Sequence, residues 1–263
     1  MLNDLKKAFL DQEEVLHISL PDSLESVVDS LSEIENVLFL FFELRDKDIN
    51  TFNHSLRTAI YTLALWEQAK IPYNHYNFAG VLMHDIGKMQ EDILDIIKKR
   101  YPNLTLIEYE MIKLHPLYGV RMVKSLIEDL PFEFYKPIYF HHERMDGYGY
   151  PFGRFDKSLY PVVKALSICD TFDAMVHRGV YQDTKPLDYV LSYLAHLSLP
   201  RKEKFTFEQV FELANINIRK LDINYGKREC GGYLDKQLVR DFVSLFSERE
   251  KIKQYLGVSL PSD

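Results

Sequence analysis

The stretch His141-His142-Glu143-Arg144-Met145-Asp146-Gly147-Tyr148-Gly149-Tyr150-Pro151 sets two adjacent imidazoles, three further polar side chains and a Gly-rich turn within eleven residues. Vicinal imidazoles can reach one metal ion or two neighbouring ones when their backbone belongs to a rigid element. Gly147 and Gly149 bring a backbone freedom that a helix interior does not tolerate. Pro151 lacks a donor and biases Tyr150 away from the helical region. The pattern predicts a helix that carries the histidines and stops near Asp146, and the remaining chain must then supply their partners.

Upstream, a turn at Ile71-Pro72-Tyr73-Asn74 precedes an apolar helix, Phe78 to Met83, which delivers His84-Asp85-Ile86-Gly87-Lys88. A neutral imidazole beside a carboxylate suits a divalent metal, and a carboxylate can bridge two metals with its two oxygens. Gly87 is expected to end the helix in a left-handed cap, with Lys88 projecting beside the metals. Before this, Leu56, Ala59, Ile60, Leu63 and Ala64 mark one face of a helix on which His54 and Arg57, three apart, share a side. Taken alone, His54 reads as a packing residue; its partners change that. Lys98-Lys99-Arg100 reads as a solvated helix end. Thr105 and Glu108 form a capping-box pair at the start of the next helix, and Pro116 begins another immediately after His115.

Downstream, Tyr160 to Asp170 is an apolar helix whose small residues permit close approach. Asp170 follows Ile168-Cys169 at a depth where an unpaired carboxylate is costly unless it meets a cation. Asp173 reads as a local cap or hydrogen-bonding group, with a ligand role as the alternative. Helical periodicity returns at Leu187, Val190, Leu191 and Leu194, at Val210, Phe211 and Leu213, and at Leu238, Val239, Phe242 and Leu245, with a turn at Gly231-Gly232. In residues 1–47, Pro21-Asp22-Ser23 opens a packing helix through Leu24, Val27, Val28, Leu31 and Ile34. This segment is too short for a sensor domain and reads as core completion or a dimer face. Strand signals are weak apart from a short hairpin candidate at Phe152 to Tyr160, so the expected fold is all-α.

The 263 residues are 46% hydrophobic and 27% charged, as in globular proteins. A net charge of -7 argues against nonspecific binding of duplex nucleic acid. The two cysteines, Cys169 and Cys230, have no metal-finger spacing and indicate no disulfide framework. The longest apolar run, Val37 to Phe42, falls far short of the roughly 20 residues a membrane span needs. Met1 to Leu10 lacks the apolar core of a signal peptide. The expectation is a cytoplasmic protein with reduced thiols.

His54, His84-Asp85, His115, His141-His142 and Asp170 thus come from five predicted helices. Their order resembles the HD superfamily of metal-dependent phosphohydrolases. More narrowly, His84-Asp85-Ile86-Gly87-Lys88 joined to His141-His142-Glu143 and Asp146-Gly147-Tyr148-Gly149-Tyr150-Pro151 looks like the HD-GYP family. The likeness runs from Asp48 to Pro186, with a weaker echo at Gly232-Tyr233-Leu234-Asp235. It implies an HD-type helical bundle over residues 48–263, with N-terminal packing helices (1–47) and extra C-terminal helices. It also implies a site of two or three divalent ions, usually iron or manganese, hydrolysing cyclic di-GMP to pGpG or GMP.

Residue by residue, the resemblance makes His54, His84, Asp85, His115, His141, His142 and Asp170 the metal ligands. Asp85 becomes the bridge and Lys88 the phosphate contact. The Asp170-Thr-Phe-Asp173-Ala-Met stretch, with Arg178 and Tyr181, matches a region that approaches substrate, while Tyr148 and Tyr150 read as stacking candidates or loop braces and Lys185 as a further contact. Three departures qualify it. A Glu that holds a third metal is replaced by Asn50, so two metals are expected. Gln90-Glu91 replaces an Ile-Pro pair. Arg178-Gly-Val-Tyr181-Gln182 lacks a basic residue, for which Lys185 can substitute. Alternative readings are an HD-type hydrolase of another cyclic dinucleotide or nucleotide ester, and a weakly active binding module that contacts a diguanylate cyclase or another regulator. A homodimer is compatible with each.

Overall fold

The computed structural model describes residues 1–99, 104–154, 159–177, 184–199 and 233–247. Helices α1 (Leu2–Leu10), α2 (Leu24–Asp29) and α3 (Glu35–Lys47) precede the long α4 (Ile49–Gln68). Then follow α5 (His75–Leu82), α6 (Glu91–Ile97), α7 (Leu106–Ile112), α8 (His115–Leu126) and α9 (Phe132–Phe140). The last are α10 (Pro161–Val176), α11 (Leu187–Leu197) and α12 (Lys236–Ser247). No β-strand occurs among the described residues, and the fold is all-α. No helix among them is long and apolar enough to cross a membrane.

α4 is the axis of the bundle. Asp48 caps it by accepting from Asn50 N at 3.0 Å, and every residue from Thr58 to Trp66 is buried. A helix that is buried all round lies inside a core rather than on its edge, and α4 meets α3, α5, α10 and α12. Tyr61 shows how the far ends of the chain close around it: its ring lies 4.9 Å from Phe172 of α10 and 6.2 Å from Phe242 of α12. Leu5, Phe9, Leu31, Leu38 and Phe41 from the first 47 residues belong to the same apolar cluster. Each such side chain contributes roughly 1.5–3 kcal/mol on burial.

Several local expectations change. The helix bearing His141 ends at Phe140, not near Asp146. The His141 imidazole takes the Pro137 carbonyl at 3.0 Å, and the Glu143 carboxylate turns to backbone donors of the following loop, so the chain commits to that loop early. Gly87 lies in a 3-10 turn, Ile86–Met89, and is absent from the positive-φ residues. Its role is close approach, because a Cβ there would stand 1.9 Å from the His115 carbonyl oxygen. α2 gives way to a 3-10 turn at Ser30–Ile34, yet Leu31 remains fully buried. The capping box at Thr105 and Glu108 occurs as expected, whereas α8 starts at His115 itself, one residue before Pro116, and α7 stops at Ile112. The middle of the hairpin candidate, the periodic stretch at Val210 to Leu213 and Gly231-Gly232 lie outside the described residues.

Candidate metal centre

Five elements converge on Asp85. α4 supplies His54, the turn after α5 supplies His84 and Asp85, α8 begins with His115, α9 ends into His141-His142, and α10 carries Asp170. Asp85 is 1% exposed, and its two oxygens face different partners. Oδ1 lies 3.2 Å from His115 Nε2 and 3.7 Å from His141 Nε2. Oδ2 lies 3.5 Å from His84 Nε2 and 3.7 Å from His54 Nε2. Asp170 spans the same two sets, with Oδ1 3.0 Å from His54 Nε2 and Oδ2 3.8 Å from His142 Nδ1. Two groups with convergent donor atoms result, one of Asp85, His115, His141 and His142, the other of His54, His84 and Asp85.

The backbone fixes the tautomers. His84 Nδ1 lies 2.7 Å from the Val81 carbonyl, His115 Nδ1 2.8 Å from that of Ile112, and His141 Nδ1 3.0 Å from that of Pro137. A carbonyl only accepts, so each Nδ1 carries the hydrogen and each Nε2 presents a lone pair. His115 Nε2 and His141 Nε2 face each other at 3.0 Å, and His84 Nε2 has no hydrogen-bond partner. Buried lone pairs aimed at one another and at a carboxylate oxygen are unfavourable until a cation enters. The residues therefore fit divalent metal, and mixed imidazole and carboxylate donors suit iron, manganese or zinc.

Electrostatics agrees with the geometry. Burial holds the His84 imidazole below its ordinary value, pushes His142 down to about 3 and, with neighbouring imidazoles, takes His141 well below, so all three are neutral at pH 7. Burial also opposes charge on His54, but hydrogen bonds to Asp170 and Asp173 outweigh it and raise that imidazole to about 9. Burial works against the Asp85 carboxylate too; Lys88 and the surrounding imidazoles hold it well below the carboxylate range. Lys88 Nζ donates to Asp85 Oδ2 at 2.5 Å and stays partly open to solvent, where an anionic ligand can reach it.

The loop after the histidines is pinned from within. Glu143 is buried, and its two oxygens accept from Phe152 N and Arg154 N, each at 2.7 Å. Gly147 adopts φ 78°, the left-handed freedom its position requires. Arg144 stacks 3.3 Å above the Tyr233 ring, and Met145 N donates to the Tyr233 carbonyl, tying this loop to the chain just before α12. Replacing Glu143 with Gln leaves one acceptor oxygen and points an amide N–H at a backbone N–H. The expected cost is about 2 kcal/mol. Melting and faster proteolysis within residues 142–154 check it; a variant as resistant as the parent would show that Glu143 does not hold the loop.

Of the residues expected on the substrate side, Tyr148 is 69% exposed at the rim. Tyr150 is placed differently from a free stacking platform: its ring stacks on His142 at 4.6 Å, so one face already braces a candidate ligand. Lys185 donates its backbone N–H to the Met175 carbonyl in the last turn of α10. Arg178 and Tyr181 lie outside the described residues. Asn50 sits exposed in the first turn of α4 and joins neither donor group. Sequence reasoning missed the loop-holding role of Glu143, although its place beside the histidine pair was a signal. Asp173, read as a local cap with a ligand role as the alternative, instead meets His54 Nδ1 at 2.8 Å across the bundle.

Residues 51–175 match the family described as HD domain. A cyclic di-GMP phosphodiesterase of Pseudomonas aeruginosa is 30% identical over 169 residues, covering 61% of this chain and 39% of that protein. Another from Thermotoga maritima is 32% identical over 176 residues, with 65% and 46% covered. A 3'3'-cGAMP-specific phosphodiesterase of Vibrio cholerae is 26% identical over 182 residues, with 68% and 36% covered. The chain spans less than half the length of these relatives. The helical fold and the donor set agree with that HD domain match over residues 51–175. The histidine pair and its Gly-Tyr-Gly-Tyr-Pro loop are the stretch that resembles the HD-GYP family.

Proposed function

We propose that this chain is a metal-dependent phosphodiesterase that hydrolyses cyclic di-GMP to pGpG or GMP. The observation that carries the reading is Asp85, whose two oxygens each face a separate set of imidazole Nε2 atoms. Two ions, iron or manganese, would be held by His54, His84, Asp85 and Asp170 on one side and by Asp85, His115, His141, His142 and Asp170 on the other. When bound, they supply an activated water at neutral pH and neutralise phosphate charge. The chain's own residues do the rest. The Nδ1 hydrogens of His84, His115 and His141 stay on backbone carbonyls, so these imidazoles serve as ligands and not as a proton relay. Lys88 meets a phosphodiester oxygen at the open edge and stabilises the charge that grows as water adds to phosphorus and the P–O3′ bond breaks. Exposed Tyr148 lies where a base can stack, and Lys185 is the candidate for a second phosphate contact.

The test is purification without oxygen, elemental analysis, and assay of the same sample for cyclic di-GMP cleavage, with 3'3'-cGAMP alongside because a cGAMP-specific relative also matches. Two metals per chain with turnover of cyclic di-GMP is the expected result. Preferential turnover of cGAMP would assign the second substrate instead. Metal binding without any turnover would move the assignment to a binding module acting through a diguanylate cyclase or another regulator. Lys88→Ala is expected to keep its metal and lose about 10²–10³-fold in kcat. Loss of metal in that variant would reassign Lys88 to the support of Asp85.

A further inference from the structure

The Asp173 carboxylate is only 1% exposed, and it touches His54 on the far side of the ring from the donor group. Its Oδ2 lies 2.8 Å from His54 Nδ1 and accepts from Arg57 Nη2 at 2.9 Å. Its Oδ1 accepts from Arg57 Nε at 2.8 Å and has His177 Nδ1 at 2.8 Å. An ionised carboxylate offers about four lone-pair positions, and here Arg57 takes two and His54 Nδ1 a third. Of the two imidazoles facing Asp85 Oδ2, His54 sets its Nδ1 against a carboxylate, whereas the corresponding nitrogen of His84 goes to the Val81 carbonyl. Asp173 thus does for His54 what the backbone does for His84, holding the hydrogen on Nδ1 and aiming Nε2 inward.

The hub is closed from outside by a distant part of the chain. Gln12, itself buried, accepts from Arg57 Nη1 and donates to Asn53 Oδ1, both at 3.3 Å. The Val15 carbonyl lies 3.1 Å from His177 Nε2, and His17 N donates to the Tyr61 hydroxyl at 3.2 Å. We infer that Asp173 is a positioning residue for His54, and that residues 12–17 are a clamp holding Arg57 and His177 against it. Displacing that segment then loosens the His54–His84–Asp85 group alone. This rests on the two-metal reading above and adds to it a route by which the N-terminal segment controls one of the two metals.

The test compares the full chain with Asp173→Asn and Gln12→Ala by manganese titration, metal content after dialysis, circular dichroism melting, and the downfield imidazole N–H proton resonance of His54. For Asp173→Asn the expected result is about 10–100-fold weaker binding of one metal, with the other unchanged and the resonance lost. For Gln12→Ala the weakening is about 3–10-fold at the same metal. If Asp173→Asn does not fold, Gln12→Ala decides. Unchanged affinities, or equal weakening of both metals, would overturn the inference, the second because a merely structural role moves both together. Should the parent bind no metal, the two-metal reading fails by itself. The His54 resonance then judges the hub: its loss in Asp173→Asn supports the positioning role, and its persistence ends it.

Discussion

Asp85→Asn is expected to lose both metals and to lower turnover at least about 10³-fold. The substitution keeps the volume of a side chain that is 1% exposed, so packing does not explain the effect. What it removes is charge and the capacity of two equivalent oxygens to serve two groups. One side of the new amide presents a hydrogen toward imidazole nitrogens that already present lone pairs, which satisfies one nitrogen and closes that position to a cation. Lys88 meanwhile loses the carboxylate it contacts at 2.5 Å. Its ammonium is left beside the cluster without the anion that offset it, further disfavouring a divalent ion. Elemental analysis with circular dichroism separates this from unfolding: helical content near that of the parent, with less than one metal in ten chains, is the expected pair of readings. Retention of one metal at full affinity would show that Asp85 serves a single group and that Asp170 carries the bridge.

The helices and the donor residues were largely legible in the sequence, because both rest on local signals. Apolar spacing marks α4, α10, α11 and α12, caps mark α7 and α8, and imidazoles beside carboxylates are rare enough to stand out. What escaped depends on tertiary contact. α4 reads as one apolar face, yet it is buried all round because Thr58 and Thr62 are enclosed along with the aliphatic residues. Asp173 meets His54 across 119 positions of sequence, so a reading of its neighbours offers a local cap or a ligand but not this contact. Tyr150 follows a glycine and precedes a proline, which marks a loop, but nothing in that pattern says that its ring covers His142. The C-terminal end of α9 was misplaced because glycines at 147 and 149 are clear breakers, whereas the earlier stop comes from side chains that take up carbonyl and amide groups around it.

Gly87 shows the same division and carries the largest expected effect on stability. A glycine after an apolar helix suggests a left-handed cap, and by that reading Gly87→Ala costs about 1–2 kcal/mol. The structure implies a different magnitude. A Cβ at this position would stand 1.9 Å from the His115 carbonyl oxygen, 2.8 Å from its carbonyl carbon and 2.5 Å from Gly119 N. All three are backbone atoms in the first two turns of α8, so no rotamer relieves the clash, and the helix must move away from the Ile86–Met89 turn. The expected loss is about 3–5 kcal/mol, a fall in melting temperature on the order of 10 °C for a domain this size. Because Asp85 sits at one end of that turn and His115 opens α8, the same shift lengthens the 3.2 Å approach between Oδ1 and Nε2 and weakens metal binding at the His115 group before that at His54. Gly119→Ala is the milder comparison: its Cβ meets the γ2 methyls of Ile138 and Ile86 at 3.0 and 3.1 Å and the Gly87 nitrogen at 3.2 Å, tight contacts but none as close as the three at Gly87. A Gly87→Ala protein melting within about 2 °C of the parent with both metals loaded would mean that α8 approaches the turn less closely than these distances require.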